Sequence, residues 1–136
     1  MYRCVFCEIV SKRQKADFVY EDDVAVAFLD KSPLVLGHVL VVPKTHYENL
    51  FVLPDDMTRE YFVVVQRLAV AVMKGCGSQG TLLLNNNVVS QSVPHLHCHV
   101  IPRSKGDGFK GLFWPRHRYG EGEAELYVSK IARYLR

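Results

Sequence analysis

The sequence predicts an α+β fold: a mostly antiparallel, five-stranded sheet with one long helix and a C-terminal helix. Strand patterns come in two groups, and the one long helical pattern separates them. A second helical pattern closes the chain. No repeat or linker divides the 136 residues, a length typical of one domain, so we expect residues 1–136 to form a single domain.

Three strand patterns precede the long helix. Residues 18–21 and 24–29 are short apolar runs, and Asp22 and Asp23 supply polar turn residues between them. Residues 38–43 form the third run. Its last residue, a proline, has no N–H to donate, so this strand either ends there or lies at an edge of the sheet.

The long helix is predicted to begin at Asp55 or Asp56, either of which can cap the first turn. Gly75 and Gly77 mark its end. Its apolar side chains recur at helical spacing: Met57, Tyr61, Val64, Val65, Leu68 and Val72.

Two further strands and a last helix are predicted after the long helix. The strands cover residues 81–85 and roughly 95–102. Residues 121–136 are acidic at the start and basic at the end, as the helix dipole favours. This segment also carries an apolar stripe at helical spacing, formed by Leu126, Ile131 and Leu135.

Composition excludes several classes of protein. Seventeen Lys and Arg against fourteen Asp and Glu give a formal charge of +3, which is too small for binding nucleic acid duplexes but compatible with a small anionic ligand. No apolar run approaches the ~20 residues that span a bilayer, and the N-terminus lacks a secretory signal pattern. Four cysteines are too few for a disulfide framework, so we expect the reducing cytoplasm, where Cys4 and Cys7 are candidate metal ligands.

Three histidines, His95, His97 and His99, alternate with apolar residues in the second predicted strand group. On a strand, alternate residues share one face and lie ~6.6 Å apart. We therefore expect the three imidazoles on one side and the apolar residues in the core. A single imidazole on a strand is usually structural, whereas three in strict alternation indicate chemistry.

Two chemical interpretations of this histidine row compete. The row could bind a catalytic metal, as in hydrolases with a His-x-His-x-Asp-His signature, but an acidic residue is then needed beside the last histidine, and the chain has Val100, Ile101 and Pro102 there. Alternatively, the central imidazole attacks phosphorus, which requires that one ring nitrogen be fixed as the N–H donor. The sequence favours the second interpretation.

Residues 91–103 resemble the signature of the histidine triad family of nucleotide hydrolases and transferases. Residues 4–9, 24–30, 37–46 and 105–109 are similar to the same family, in the same order. The resemblance implies a HIT-like fold and activity on a nucleoside phosphoramidate, a dinucleoside polyphosphate or a similar conjugate of a purine nucleotide. The alternative is a zinc-stabilised nucleotide- or partner-binding protein with little turnover.

The resemblance implies four catalytic residues. His97 would be the nucleophile that forms a nucleotidyl-histidine intermediate, and His99 would contact phosphate and help to protonate the leaving group. Gln91 and Ser92 would hydrogen-bond the phosphate or the bridging atom. Ser92 also fits an ordinary loop hydroxyl, since no base stands beside it in the sequence.

Six further residues are implied to bind the nucleotide. Asp30 would accept hydrogen bonds from both ribose hydroxyls, and Asn86 would lie near the sugar and phosphate. The remaining residues surround the base and sugar in the family, although each also fits plain core or surface: Phe6, Ile9, Phe28 and Lys31.

The loop before the triad departs from the family pattern. Only Val88, Val89 and Ser90 separate Asn87 from Gln91, which is about two residues fewer than in relatives, and none is glycine. Because glycine lets backbone N–H groups approach phosphate closely, we expect this loop to differ in geometry.

The resemblance also implies a structural zinc ion held by Cys4, Cys7, His46 and His95, as in bacterial members of the family. Two thiolates and two imidazoles form a closed tetrahedral set with no position for water. The Cys-x-x-Cys spacing alone fits two unlinked thiols equally well, and His38 is a competing ligand.

Family resemblance implies a two-fold homodimer that pairs the long helix. Residues 109–116 contain an aromatic cluster that includes Trp114. The side chain of Trp114 either reaches the nucleotide site of the partner subunit or covers the core of its own subunit. The apolar face of the long helix could equally be buried within one subunit.

Overall fold

The computed structural model describes residues 3–111 and 114–135. The elements in chain order are α1 (Val5–Val10), β1 (Phe18–Glu21), β2 (Ala25–Leu29), β3 (Val39–Pro43), a 3-10 turn (Leu50–Val52), α2 (Asp55–Gly75), β4 (Gly80–Leu84), β5 (Cys98–Arg103) and α3 (Glu123–Ala132). Leu112 and Phe113 of the predicted aromatic cluster, and Arg136 of the predicted last helix, lie outside the described residues.

The five strands form one sheet in the order β1-β2-β3-β5-β4, and every neighbouring pair is antiparallel. The predicted α+β fold is therefore confirmed. Strand β3 lies inside the sheet and ends at Pro43. Of the two alternatives predicted from this proline, the strand therefore ends there and does not lie at an edge. The turn before β2 is held by Asp22, whose carboxylate accepts hydrogen bonds from the N–H groups of Val24 and Ala25.

The sheet separates two apolar layers, because successive strand residues face opposite sides. Helix α2 covers one face and packs Tyr61, Val64 and Leu68 against residues such as Ala27 and Val41. On the other face, the short helix α1 packs Phe6 and Ile9 against Val26, Phe28, Leu40 and Val42. The second face carries the histidine row described below.

The predicted cap of α2 is wrong. Pro54 occupies the N-cap position and has no side-chain acceptor, so no side chain caps the helix. Asp55 and Asp56 lie one position further on, inside the first turn, where their carboxylates interact favourably with the helix dipole. The helix ends at Gly75, and Gly77 follows in the left-handed region with φ of 62°.

The predicted strand through the histidine row begins too early. The ladder of β5 begins at Cys98, so His95 and His97 precede it. The reason is that backbone groups of this segment bond elsewhere: the Leu96 N–H donates to the Tyr47 carbonyl at 2.7 Å, and the His97 carbonyl accepts from a side chain. The alternation itself is confirmed, because Leu96, Cys98 and Val100 all enter the core beneath α2.

Helix α3 is shorter than predicted, and its apolar stripe is exposed. Leu126 and Ile131 of that stripe are 49% and 61% exposed, and no residue of α3 is buried. Trp114 is likewise exposed, so its side chain does not cover the core of its own subunit. Among the described residues, no helix has both the length and the apolar character needed to cross a membrane.

In the shortened loop between β4 and β5, two residues that are not glycine have a left-handed backbone conformation. Val88 has φ of 72° and Ser90 has φ of 61°. A β-branched residue is sterically disfavoured in this region. The loop therefore has a backbone conformation that suits glycine, and valine and serine adopt it at a cost in free energy.

Replacing Val88 by glycine should raise the free energy of unfolding by about 1 kcal/mol, because the steric cost of the positive φ disappears. The matched control is Val89→Gly, next in the chain and not at positive φ, which should lower the free energy of unfolding by about 0.5–1 kcal/mol. Urea denaturation of both variants measures the difference, and equal destabilisation by both would show that Val88 is unstrained.

Candidate active site

A pocket of about 540 Å³ lies on the sheet face that carries α1. Its walls come from α1, the segment that follows α1, the end of β2 and the histidine row. Eight residues that the sequence analysis assigned to catalysis or nucleotide binding line it: Phe6, Ile9, Phe28, Asp30, Lys31, Ser92, His97 and His99.

One half of the pocket is apolar and is built on α1. The ring of Phe6 packs edge-on against Phe28, with centroids 5.6 Å apart, and against His97, with centroids 5.0 Å apart. Val5 and Ile9 extend the same surface. The sequence analysis did not identify α1, although Phe6, Ile9 and Val10 recur at helical spacing. The side chain of Cys4 caps this helix, because its Sγ atom accepts a hydrogen bond from the Cys7 N–H in the first turn.

The tautomer of His97 is set by its own backbone. Its Nδ1 atom lies 2.8 Å from the carbonyl oxygen of His95. Since a carbonyl only accepts, Nδ1 must carry the proton, which leaves a lone pair on Nε2. Burial lowers the pKa of His97 from its usual value, so the ring is neutral at pH 7.

A chain of hydrogen bonds also sets the tautomer of His99. The Leu34 N–H donates to Nδ1 of His38 at 3.1 Å, so His38 carries its proton on Nε2. That Nε2–H donates to Nδ1 of His99 at 2.9 Å, which leaves His99 with its own proton on Nε2. Burial, together with the neighbouring His97 and His38, lowers the pKa of His99 to about 4, so it is a neutral donor at pH 7.

The carboxylate of Asp30 lies at the polar end of the pocket. One oxygen accepts the Ser32 N–H at 2.9 Å, and the other lies 3.7 Å from Nε2 of His38. The backbone N–H of Asp30 donates to the His38 carbonyl at 2.9 Å. The carboxylate is therefore held in place and still borders the pocket.

Asn85 was missed by the sequence analysis. Its amide Nδ2 donates to the carbonyl oxygen of His97 at 3.0 Å, and it follows directly after β4, in which Leu84 pairs with His99. The signal was its position first in the asparagine run, next to the strand. Asn85 therefore fixes the backbone of His97, the residue whose Nε2 lone pair is oriented.

Two of the residues predicted to act in catalysis or nucleotide binding, Gln91 and Asn86, lie outside the pocket lining. The Gln91 side chain accepts the Val88 N–H at 2.9 Å and donates to the Glu48 carbonyl at 2.6 Å. Asn86 donates to the Ser90 carbonyl at 3.2 Å. Both side chains brace the shortened loop here, and their contact with phosphate stays a prediction.

The four predicted metal ligands come together at the start of α1. The Cys4 sulfur lies 3.2 Å from Nδ1 of His95, and the Cys7 sulfur lies 3.3 Å from Nδ1 of His46 and 3.6 Å from Nδ1 of His95. All four ligand atoms lie within 4.8 Å of one another. In a tetrahedral zinc site, adjacent ligand atoms are about 3.3 to 3.8 Å apart, so the donor set fits zinc in chemistry and spacing.

The protonation of His95 suits a metal ligand, whereas that of Cys7 has to change. Nε2 of His95 donates to the Pro43 carbonyl at 2.9 Å, so the lone pair of Nδ1 faces the two sulfurs. Burial lowers the pKa of His95 to about 4, which keeps the ring neutral. Burial and the adjacent Cys4 raise the pKa of the Cys7 thiol to about 11, so metal binding would have to displace its proton. His38, the competing ligand, lies instead with Asp30 and His99.

The fold and the histidine row together define a histidine triad protein. The HIT domain profile matches residues 11–106. The chain therefore belongs to the HIT family, and the predicted family resemblance is confirmed.

Several known proteins are similar to the chain over most of its length. "Protein hit" of Bacillus subtilis is 41% identical over 97% of this chain and 94% of that protein. "Adenylylsulfatase HINT3" of Arabidopsis thaliana is 37% identical over 97% of this chain and 69% of that protein. "Adenosine 5'-monophosphoramidase hnt1" of Schizosaccharomyces pombe is 28% identical over 98% of both chains.

Solved structures agree with this assignment. The crystal structure of a HIT family member from Bacillus subtilis has a TM-score of 0.90 to this chain at 40% identity, covering 99% of both chains. A Streptococcus mutans structure, SMU.412c, has a TM-score of 0.91 at 30% identity, covering all of this chain and 87% of the other.

The hydrogen bonds of the site predict the tautomers of His38, His95, His97 and His99 at pH 7. Long-range ¹H–¹⁵N NMR spectra should show His97 protonated on Nδ1 only, and His38, His95 and His99 protonated on Nε2 only. The exposed His117 serves as the internal control and should show averaged tautomers. An Nε2-protonated or doubly protonated His97 would contradict the geometry.

Proposed function

We propose that this protein is a histidine triad nucleotide hydrolase or nucleotidyl transferase. Its substrate would be a nucleoside phosphoramidate, a dinucleoside polyphosphate or a similar conjugate, and the product a nucleoside monophosphate. The observation that carries the proposal is the neutral His97, whose Nε2 lone pair is fixed beside a pocket of nucleotide size. Two relatives are named adenylylsulfatase and adenosine 5'-monophosphoramidase, which is consistent with it.

In the first step, Nε2 of His97 attacks phosphorus and the bond from phosphorus to the leaving nitrogen or oxygen breaks. The leaving atom keeps the bonding electron pair. A leaving amine or alcohol takes the Nε2 proton of His99, whose ring becomes a transient imidazolate beside the cationic nucleotidyl-His97, whereas a leaving polyphosphate departs as its anion with a hydrogen bond from that N–H. The nucleotide is then bonded to His97, as in other covalent catalysis that divides one displacement into two. Acid assistance of this kind is typically worth ~10² to 10⁴ in rate.

In the second step, water or another acceptor attacks the nucleotidyl-histidine. The attacking oxygen bonds to phosphorus, its proton passes to His99, and the bond to His97 breaks with the electron pair returning to Nε2. Both histidines regain their starting protonation. Two inversions at phosphorus give net retention.

The nucleoside would lie along the α1 side of the pocket. Asp30 offers a fixed carboxylate to the two ribose hydroxyls, and the apolar surface of Phe6, Ile9 and Phe28 suits a purine base. Lys31 lies at the same rim and suits the anionic substrate.

A second candidate function is a nucleotide- or partner-binding protein with little turnover. It is favoured by the loop between β4 and β5, which lacks glycine and uses Gln91 and Asn86 for internal hydrogen bonds. Measured turnover separates the two candidates.

The wild-type protein should release AMP from adenosine 5'-phosphoramidate or diadenosine polyphosphate. His97→Gln keeps a polar side chain but removes the nucleophile, so kcat/KM should fall at least about a thousandfold. His117→Gln alters an exposed histidine and should leave the rate unchanged. Equal rates for wild type and His97→Gln would refute the proposed mechanism.

The activity should survive mild acid. Protonation of His97 removes its lone pair, so kcat/KM is lost as the pH falls through the pKa of His97. Because burial lowers that pKa below its ordinary value of 6.5, the acid limb should have its midpoint below pH 6.5. A midpoint at or above pH 6.5 would mean that His97 is not buried and neutral, or is not the titrating group.

We further propose that Cys4, Cys7, His46 and His95 hold one structural zinc ion. A bound zinc would cross-link α1 to the segment before β5 and would supply no open coordination position. The reducing cytoplasm, which we propose as the site of action, would keep both thiols available.

Purified protein should carry about one zinc per chain, because four donors of suitable spacing are present. His46→Ala removes an exposed ligand and should abolish stoichiometric zinc while the chain still folds, and Cys4→Ser should do the same. Cys76→Ser changes an exposed cysteine outside the cluster and should retain zinc. Elemental analysis provides the measurement, and a fully folded, metal-free wild type would contradict the proposal.

A two-fold homodimer is also part of the proposal. Helix α2 leaves Phe62, Val63 and Val70 more than 40% exposed on the side away from the sheet, and α3 exposes its apolar stripe. Surfaces of this kind favour association between copies.

A further inference from the structure

We propose that a second hollow, just beyond His99, binds the leaving group of the substrate and selects conjugates whose leaving group is apolar and uncharged. The inference rests on the proposed function. The hollow has a volume of about 400 Å³, and we call it the leaving-group hollow. Its apolar lining consists of Leu34, Val35, Leu82, Ile101 and Phe109, and three charged residues also border it: Arg103, Asp107 and Lys110.

The floor of the hollow continues the histidine row. Ile101 lies two residues beyond His99 on β5, so the two side chains share a face and their Cα atoms lie about 6.7 Å apart. Leu82 on β4 pairs directly with Ile101. The floor therefore begins with Ile101, next to His99, the proposed proton donor, on the same face of β5.

One wall is tied to the hydrogen-bond chain that orients His99. The Leu34 N–H donates to Nδ1 of His38 at 3.1 Å, and the His38 N–H donates to the Val35 carbonyl at 3.2 Å. His38 in turn bonds His99. The position of this apolar wall is thus coupled to the position of the donor.

Another wall is formed by Phe109, which contacts charged groups. Its N–H donates to the Asp107 carboxylate at 3.1 Å, and the Arg103 guanidinium lies over its ring, 4.1 Å from the centroid. Arg103 also donates to Asp107 at 2.6 Å. Because this cation is paired with Asp107, the wall presents mainly the aromatic surface of Phe109, next to the exposed Lys110.

The chemistry of the first step directs the leaving group towards this hollow. The nucleoside lies on the α1 side of His97, and the leaving atom lies opposite the attacking nitrogen and takes its proton from His99. A substituent on that atom therefore extends past His99 along β5, over Ile101. When the bond to phosphorus breaks, the amine or alcohol leaves with the bonding pair and the proton from His99.

The lining determines the class of substituent. An aryl or branched alkyl group would bury its surface against Leu34, Ile101 and Phe109. A hydroxyl group would lose hydration against that apolar surface, and an ammonium group would meet the cation of Lys110 and a carboxylate, Asp107, that Arg103 already occupies. The favoured substrates are thus nucleoside monophosphate conjugates of apolar amines or alcohols.

The test compares the N-(2-phenylethyl) and N-(2-hydroxyethyl) derivatives of adenosine 5'-phosphoramidate, whose amines are similar in basicity. Wild type should prefer the phenylethyl derivative about tenfold or more in kcat/KM. Leu34→Ser and Phe109→Ser should each reduce this preference several-fold. Leu36→Ser is the matched control, because Leu36 lies in the same turn, is 88% exposed and does not line the hollow; it should keep the wild-type preference.

An unchanged preference in Leu34→Ser and Phe109→Ser would overturn the proposal. So would a change in oligomeric state of these variants with the preference intact, since the hollow would then be an interface between copies. If wild type cleaves neither derivative, the proposed function fails. The proposal for the hollow is then tested by measuring the equilibrium affinities of the two derivatives for His97→Gln. There, about tenfold tighter binding of the phenylethyl derivative supports it, and equal affinities refute it.

Discussion

The site depends on one hydrogen bond, from Nδ1–H of His97 to the carbonyl oxygen of His95. A neutral imidazole has one donor and one acceptor nitrogen, so this bond decides which nitrogen has the free lone pair. The same residue, His95, donates its own Nε2–H to Pro43 and presents Nδ1 to two cysteines. One short segment before β5 therefore orients both the proposed nucleophile and a proposed metal ligand.

Burial complements these hydrogen bonds. Desolvation lowers the pKa values of His38, His95, His97 and His99, so all four rings are neutral at pH 7 and each has a defined tautomer. Among the described residues, every buried side-chain nitrogen and oxygen has a hydrogen-bond partner. Phe6 contacts both His95 and His97 from α1, which the cysteine cluster anchors, so the apolar wall of the pocket and the histidine row are held together.

Local sequence patterns predicted much of this molecule. Strand alternation and helical spacing gave β1 and the extent of α2 correctly, and the alternation of histidines with apolar residues identified the row. The missed features depend on contacts that are distant in sequence. The bond between Leu96 and Tyr47 makes β5 begin later than predicted, and Asn85, just after β4, bonds His97, just before the neighbouring β5. The floor of the leaving-group hollow depends on the pairing of Leu82 with Ile101. No local pattern contains these pairings.

The most direct test of the account is to capture the nucleotide on the imidazole at position 97. Wild-type protein would be mixed with adenosine 5'-phosphoramidate, quenched rapidly without acid, digested and analysed by mass spectrometry. The account predicts an adenylyl group on the peptide that contains His97, attached to that side chain, and none in His97→Gln. Turnover with an adenylyl group on a different residue, or with the same label in His97→Gln, would contradict it.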